Sequence, residues 1–217
     1  MANIFPRSTN RLPARFIAAV LLVASTACAF AYFYLTPGYA RVGYQPVQPV
    51  PFDHSLHVAQ LGLDCRYCHG SVDKSEASII PDAATCMNCH AVVKPDSPAL
   101  APVRDSVRTG TPIPWIRVHR TPDYVFFNHA VHVRRGVSCV ECHGRVDQMR
   151  EVFQAKSLSM GFCLDCHKAP TDRLRPLDKV TDLGWTPERL QSSLPVEARI
   201  ETQAAIHPST SCSACHR

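Results

Sequence analysis

One five-residue pattern occurs five times and constrains this chain more than any other feature. Each copy has two cysteines three positions apart and a histidine directly after the second cysteine, at residues 65–69, 86–90, 139–143, 163–167 and 212–216. Two thiols at this spacing reach the two vinyl groups of one porphyrin as thioethers, and the adjoining histidine then binds the iron. We call these copies motifs 1 to 5. They predict five covalently bound haems c.

The predicted ligands follow from the pattern. The cysteines expected to form thioethers are Cys65, Cys68, Cys86, Cys89, Cys139, Cys142, Cys163, Cys166, Cys212 and Cys215. The histidines expected on the proximal side of the irons are His69, His90, His143, His167 and His216. Zinc ribbons and thioredoxin-like sites also use paired cysteines, but they do not need a histidine after every pair. The eleventh cysteine, Cys28, lies outside the motifs.

The chain contains an internal duplication. The segment at 52–58, Phe-Asp-His-Ser-Leu-His-Val, is echoed at 127–133 by Phe-Asn-His-Ala-Val-His-Val. Each is followed by a glycine, a haem motif and then Gly-x-Val-Asp, at 70–73 and 144–147. The two histidines in each segment are three residues apart, so on a helical turn they project to nearly the same side. The repeat therefore predicts two-haem units in which each leading histidine binds a different iron.

The sequence Phe-x-His-x-x-His ahead of a haem motif resembles the multihaem cytochrome c3 and c7 families, over residues 52–90 and 127–167. In those families the first histidine of the pair serves the haem that follows, and the second serves a neighbouring haem. The resemblance thus implies distal ligands His54 and His57 for motifs 1 and 2. It implies His129 and His132 for motifs 3 and 4.

The distal ligand of the fifth haem stays open between three residues. His119 and Met160 stand where the first repeat has Tyr44 and Ala83, so the second repeat contains extra ligand types. His207 lies only five residues before Cys212. A methionine ligand would give that haem the higher potential.

An apolar run near the N-terminus predicts a membrane anchor. Residues 16–35 are twenty consecutive residues without a charge, which is the length of a membrane-spanning helix. Arg7, Arg11 and Arg15 precede the run, so the positive-inside rule places residues 1–15 in the cytoplasm. The haem domain would then lie on the periplasmic side of the cytoplasmic membrane. A cleaved signal peptide is the alternative.

Five haems on residues 36–217 leave little chain for each cofactor. With eighteen prolines and few periodic segments, we expect a multihaem cytochrome c that is mostly α with much coil, short helices around the haems and no evident sheet. Helix starts are also expected near 187 and 195. The expected segments are a linker at 36–51, a two-haem unit at 52–93, a proline-rich connection at 94–126 that is extended over 94–114, a second two-haem unit at 127–168 and a C-terminal segment with the fifth haem at 169–217.

The charge balance argues against nucleic acid as a partner. The formal net charge is +5, but three of the basic residues precede the apolar run, and no basic cluster follows it. The rest of the chain is therefore close to neutral. Membrane lipid and other redox proteins are the expected partners.

Over nearly its whole length the chain resembles the pentahaem subunit of alternative complex III, a quinol-oxidising bacterial assembly. The phrases at 117–124 and 160–167 carry this likeness. The resemblance implies three kinds of partner: an iron–sulfur subunit related to molybdopterin enzymes, multi-helix quinol-binding membrane subunits and a monohaem cytochrome c. The chain would be a non-catalytic electron relay within a respiratory or photosynthetic oxidoreductase complex.

Two other functions remain. A membrane-anchored quinol dehydrogenase that feeds a periplasmic reductase would also have one N-terminal helix and several haems. A multihaem reductase would need an iron with an open position, whereas this chain has enough ligands to close all five.

Overall fold

The computed structural model describes residues 6–35, 41–186 and 206–216. Backbone contacts divide the chain into two units, Met1–Arg41 and Val42–Arg217. The helix starts expected near 187 and 195 lie outside the described residues, as do parts of the 36–51 linker and of the C-terminal segment.

The first unit is a single long helix. A 3₁₀ turn at Arg7–Arg11 leads into α1, Leu12–Leu35. The helical stretch Ser8–Leu35 contains an 18-residue window with a mean hydropathy of 2.2, and within the described ranges it is the one helix long and apolar enough to cross a membrane. The hydroxyls of Ser25 and Thr26 both donate to the carbonyl of Leu22, so these polar groups are satisfied inside the helix. This agrees with the predicted anchor, and the helix begins four residues earlier than expected.

The second unit is built from short helices. They are α2 Cys65–Cys68, α3 Ala83–His90, α4 Ala101–Thr109, α5 His129–Arg134, α6 Cys139–His143, α7 Met160–Lys168 and α8 Cys212–Cys215. A π-helical turn lies at Ser55–Gln60, with 3₁₀ turns at Pro98–Leu100, Val146–Gln148, Thr171–Arg173 and Leu177–Lys179. Throughout the described part the backbone forms no strand, only isolated antiparallel bridges, so the expected mostly α fold with much coil is confirmed.

Side-chain caps start several of the short helices that carry the histidines and cysteines. The Asp82 side chain accepts from the Thr85 amide at the start of α3, and Ser159 accepts from the Phe162 amide at the start of α7. Asn128 accepts from the Val131 amide before α5. Helices of four to nine residues are marginal by propensity alone, so capping and tertiary contacts must stabilise them.

The expectation of an extended connection between the two repeats is wrong over residues 98–109. Pro98 and Pro102 occupy first-turn positions, where a helix tolerates proline, and the chain is helical through Pro98–Leu100 and α4. Gly110, with φ of +70°, ends α4 in the left-handed conformation that favours glycine. The buried side chain of Val103 lies in a small apolar cluster with Val50 and Ala83.

A second packed region surrounds the start of motif 3. Val137 and Leu174 form an antiparallel bridge, and the Arg175 amide donates to the Gly136 carbonyl at 2.8 Å. The Arg175 guanidinium lies over the Trp185 ring, 5.2 Å from its centroid. This region holds the chain directly before the cysteines of motif 3.

Gly136 and Gly62 occupy equivalent positions, each three residues before the first cysteine of a motif, and both have positive φ. A Cβ on Gly136 would collide with the backbone carbonyl of Arg175, whereas a Cβ on Gly62 would meet nothing. We therefore expect Gly136→Ala to lower the unfolding free energy of the haem-loaded protein by more than about 2 kcal/mol, and Gly62→Ala by about 1 kcal/mol. Denaturant unfolding of the two variants checks this, and equal losses would contradict it.

Candidate haem-binding sites

In the first repeat an aromatic side chain orients the two leading histidines. The Phe52 ring stacks on His57 with centroids 4.4 Å apart and meets His54 edge-on at 4.7 Å. The His57 ring lies 6.2 Å from that of His90, the histidine of motif 2. A metal–nitrogen bond is about 2 Å long, and a ring centroid lies roughly 1 Å behind its nitrogen, so two imidazoles on one iron lie about 6 Å apart. The observed separation fits one iron between His57 and His90.

The second repeat has the same arrangement. Phe127 stacks on His132 at 4.5 Å and meets His129 edge-on at 4.7 Å. The His129 ring lies 6.4 Å from His143 of motif 3, and the His132 ring lies 6.1 Å from His167 of motif 4. Both separations again fit one iron between two imidazoles.

His54 is the leading histidine expected to face motif 1. Burial first, and then the proximity of His69, lower the pKa of His54 to about 4. Burial also lowers the pKa of His143 to about 3, with His119 as the next cause. Both rings are therefore neutral near pH 7, the state in which imidazole binds iron.

Backbone carbonyls fix the tautomer of six histidines. In each, Nδ1 lies 2.7–2.9 Å from a carbonyl oxygen: His57 with Asp53, His69 with Ile79, His90 with Val93, His129 with Glu76, His132 with Asn128 and His167 with Ser209. A carbonyl only accepts hydrogen bonds, so Nδ1 carries the proton and Nε2 keeps its lone pair for a metal. His54 differs, because its buried Nδ1 has no hydrogen-bond partner among the described residues.

Cysteines of different motifs lie close to one another. The Cys65 thiol donates to the Thr181 carbonyl at 4.0 Å, and its interaction with the Cys139 side chain raises the pKa of Cys65 and lowers that of Cys139. Burial, followed by the nearby Cys163, raises the pKa of Cys142 to about 12. Burial and then Cys215 raise the pKa of Cys163. Thioether formation removes these titrating protons, so the partly buried sulfurs suit covalent attachment to an apolar porphyrin.

Motif 5 lies against the segment before the second repeat. The Phe126 amide donates to the Cys215 carbonyl at 2.9 Å, and His216 forms an antiparallel bridge with Val125. The His216 ring lies 5.6 Å from that of Tyr124. These contacts fix the last motif beside the Phe127 end of the second repeat.

The three residues considered for the fifth distal position lie in different settings. The His119 ring meets His143 edge-on at 4.3 Å, which is too close for an iron between them. Met160 is 67% exposed at the start of α7, one helical turn before Cys163. His207 is exposed.

The residues present fit haem c. The described residues hold no group of three or more His, Cys, Asp or Glu side chains arranged for a metal ion, as a zinc site would require. Instead the thiols come in adjacent pairs, and three histidine pairs have the spacing of bis-imidazole ligation. Among the described residues few apolar side chains are buried, so the porphyrins would supply much of the interior.

Sequence reasoning missed the roles of Phe52 and Phe127 and of the carbonyls that accept from Nδ1. The phenylalanines could have been found, because they recur two residues before the first histidine of each pair. The carbonyls of Glu76 and Ser209 lie 53 and 42 residues from their histidines, and a carbonyl leaves no mark in a sequence.

Comparisons with known proteins agree with this chemistry. The model of a family described as cytochrome c7 and related cytochrome c matches residues 125–217. A protein of Nitratidesulfovibrio vulgaris (strain Hildenborough), named menaquinone reductase, multiheme cytochrome c subunit, is 30% identical over 178 residues. The match covers 80% of this chain and 78% of that protein.

The carboxylate of Asp64 ties motif 1 to a distant segment, because it accepts from both Arg66 and the Thr181 hydroxyl. Hydrogen bonding from Arg66, outweighing the opposite effect of burial, lowers the pKa of Asp64 from 3.8 to about 2. A carboxyl whose pKa falls on folding stabilises the protein above its unfolded pKa, and this contribution disappears as the pH drops through its folded pKa.

We therefore expect Asp64→Asn to lower the thermal midpoint of the haem-loaded protein at pH 6. The difference from wild type should shrink between pH 4 and pH 2. Thr181→Val removes only one of the two partners and should have a smaller effect at pH 6. A difference that does not change with pH would contradict this assignment.

Proposed function

The chain belongs to the multihaem cytochrome c family, and from that premise we propose that it holds five haems c and relays electrons in a quinone-linked membrane complex. The observation that carries the proposal is the set of three histidine pairs at 6.1–6.4 Å, with Nδ1 protons directed at carbonyls. A bound haem supplies one-electron iron chemistry between two protein ligands. The chain's own work is to hold, orient and space these groups.

The proposed ligands follow the geometry. Each motif contributes two thioethers and a proximal histidine. His57 pairs with His90, and the 6.2 Å separation of their rings supports this. His129 pairs with His143 and His132 with His167, supported in the same way. His54 serves motif 1 with His69, whose proximity, after burial, contributes to the lowered pKa of His54.

For the fifth distal position we propose Met160. Cys163 interacts with Cys215 of motif 5, and Met160 lies three residues before Cys163, on the same face of α7. His119 is held against His143 instead, 4.3 Å away. Its ring would therefore orient His143 of motif 3 rather than bind the fifth iron.

Magnetic circular dichroism tests this ligand. We expect a near-infrared band of histidine–methionine ligation in the oxidised protein, and we expect Met160→Ala to abolish it. His119→Ala is the matched control and should leave the band in place. Loss of a histidine–histidine signal in His119→Ala, together with an unchanged spectrum in Met160→Ala, would contradict the proposal.

The finer proposal is membership of alternative complex III. The N-terminal helix would anchor the chain in the cytoplasmic membrane with the haem unit on the periplasmic side. Quinol oxidation in multi-helix membrane subunits would release two electrons and two protons. The electrons would pass through an iron–sulfur subunit related to molybdopterin enzymes, then through this chain to a monohaem cytochrome c or another acceptor.

A second candidate reverses the direction of the electrons. The relative from N. vulgaris carries the name of a menaquinone reductase subunit, which supports delivery of electrons to a quinone. The same relay residues would serve both directions, because ligands set potentials and spacing rather than the sign of the flow.

Purification of the tagged chain from membranes with its partners tests the function. We expect the mass of the chain to exceed that of the polypeptide by five haems, and an iron–sulfur subunit and multi-helix membrane subunits to copurify. The complex should reduce a monohaem cytochrome c with a dimethylnaphthoquinol. If the complex catalyses only the reverse reaction, in which reduced cytochrome c reduces the naphthoquinone, the second candidate is favoured. A chain that purifies alone and reacts with neither would contradict both.

A further inference from the structure

The two repeats contact each other through the same bond made twice. The Ser55 amide donates to the Met149 carbonyl at 3.1 Å, and the Ala130 amide donates to the Ser75 carbonyl at 3.1 Å. Ser55 and Ala130 each follow the first leading histidine of their repeat. Ser75 and Met149 each lie ten residues after the first cysteine of their motif. Each repeat thus donates one hydrogen bond to the other and accepts the equivalent bond from it, as in an isologous contact.

The residues at the centre of this contact occupy equivalent positions in the two repeats. Cys65 and Cys139, the first cysteines of motifs 1 and 3, lie close enough for their side chains to interact. The residues before them, Asp64 and Ser138, bind neighbouring groups, the Thr181 hydroxyl at 2.9 Å and the Val180 carbonyl at 2.6 Å. An equivalent residue can meet its counterpart only near the local twofold axis, so motifs 1 and 3 lie at the junction.

Motif 2 lies on the outer side of the first repeat. The Asn88 amide nitrogen donates to the Tyr67 hydroxyl at 3.2 Å, which joins motif 2 to motif 1. His57 faces His90 of motif 2, and His54, three residues earlier, is the proposed partner of His69 in motif 1.

Motif 4 occupies the corresponding place in the second repeat. His129 faces His143 of motif 3, and three residues later His132 faces His167 of motif 4. Nδ1 of His167 lies 2.7 Å from the Ser209 carbonyl, three residues before Cys212, so motif 5 follows motif 4.

We infer that the five attachment motifs form a single row in the order second, first, third, fourth, fifth, with the two repeats paired about a local twofold axis between motifs 1 and 3. This inference rests on the proposed binding of five haems. The row order differs from the chain order, and its ends are motifs 2 and 5. Redox partners would therefore exchange electrons at the motif 2 end and at the motif 5 end.

The positions of the irons test the order directly. In the haem-loaded chain within its complex, a cryo-EM map or iron anomalous scattering should give two iron neighbours to each of motifs 1, 3 and 4, and one to each of motifs 2 and 5. The iron of motif 2 lying between two others, or the irons of motifs 1 and 3 not being neighbours, would overturn the inference. Five irons in another order would leave the proposed function intact, whereas fewer than five would reject the haem count instead.

A matched pair of variants gives a second readout in solution. His57 and His132 are equivalent residues, and removing either leaves one iron high-spin. His57→Ala makes the iron of motif 2 high-spin, at one end of the row. This fast-relaxing iron has one neighbour, so it should broaden the electron paramagnetic resonance signal of one low-spin haem. His132→Ala makes the iron of motif 4 high-spin, and because motif 4 has two neighbours in the row, it should broaden the signals of two low-spin haems. Broadening of two or more low-spin signals by His57→Ala would overturn the order.

Discussion

The hydrogen bond from a histidine Nδ1 to a backbone carbonyl is the interaction on which the haem sites depend. It fixes the proton on one nitrogen and leaves the other free for iron, and it also fixes the plane of the ring. Two of the six carbonyls come from distant segments, Glu76 for His129 and Ser209 for His167. The backbone of one part of the chain thus orients the proposed iron ligand of another, so ligation and tertiary folding would be a single process.

The apolar core of the second unit is small, as expected if porphyrins fill much of the interior. Among the described residues, the apolar cluster around Val50, Ala83 and Val103 is small, and few other apolar side chains of the second unit are buried. Helices of four to nine residues with polar caps cannot be stable alone. Covalent porphyrins and iron bonds would supply the remaining constraint, because each one joins residues far apart in the chain.

Much of the site could be predicted from the sequence because haem attachment needs a fixed local spacing. The motifs and the leading histidines follow from residue type and distance along the chain. Helix α4 is hidden in the sequence because frequent prolines favour an extended chain, whereas Pro98 and Pro102 stand in first turns, where a helix tolerates proline. The carbonyl acceptors and the proximity of Cys65 to Cys139 depend on the tertiary fold, and no local pattern encodes them. The edge-on contact between the His119 and His143 rings likewise depends on the tertiary fold.

The bond between His167 and Ser209 has a consequence for the maturation of the protein. Ser209 lies 42 residues downstream, almost at the C-terminus, whereas His90 finds its carbonyl three residues away at Val93. The ring orientation of His90 can thus be set within its own segment, whereas that of His167 waits for the segment 42 residues further along to fold against it. A variant shortened before residue 209 would keep His167 but leave its ring without this acceptor, so the fourth site is completed only when the segment before motif 5 is in place.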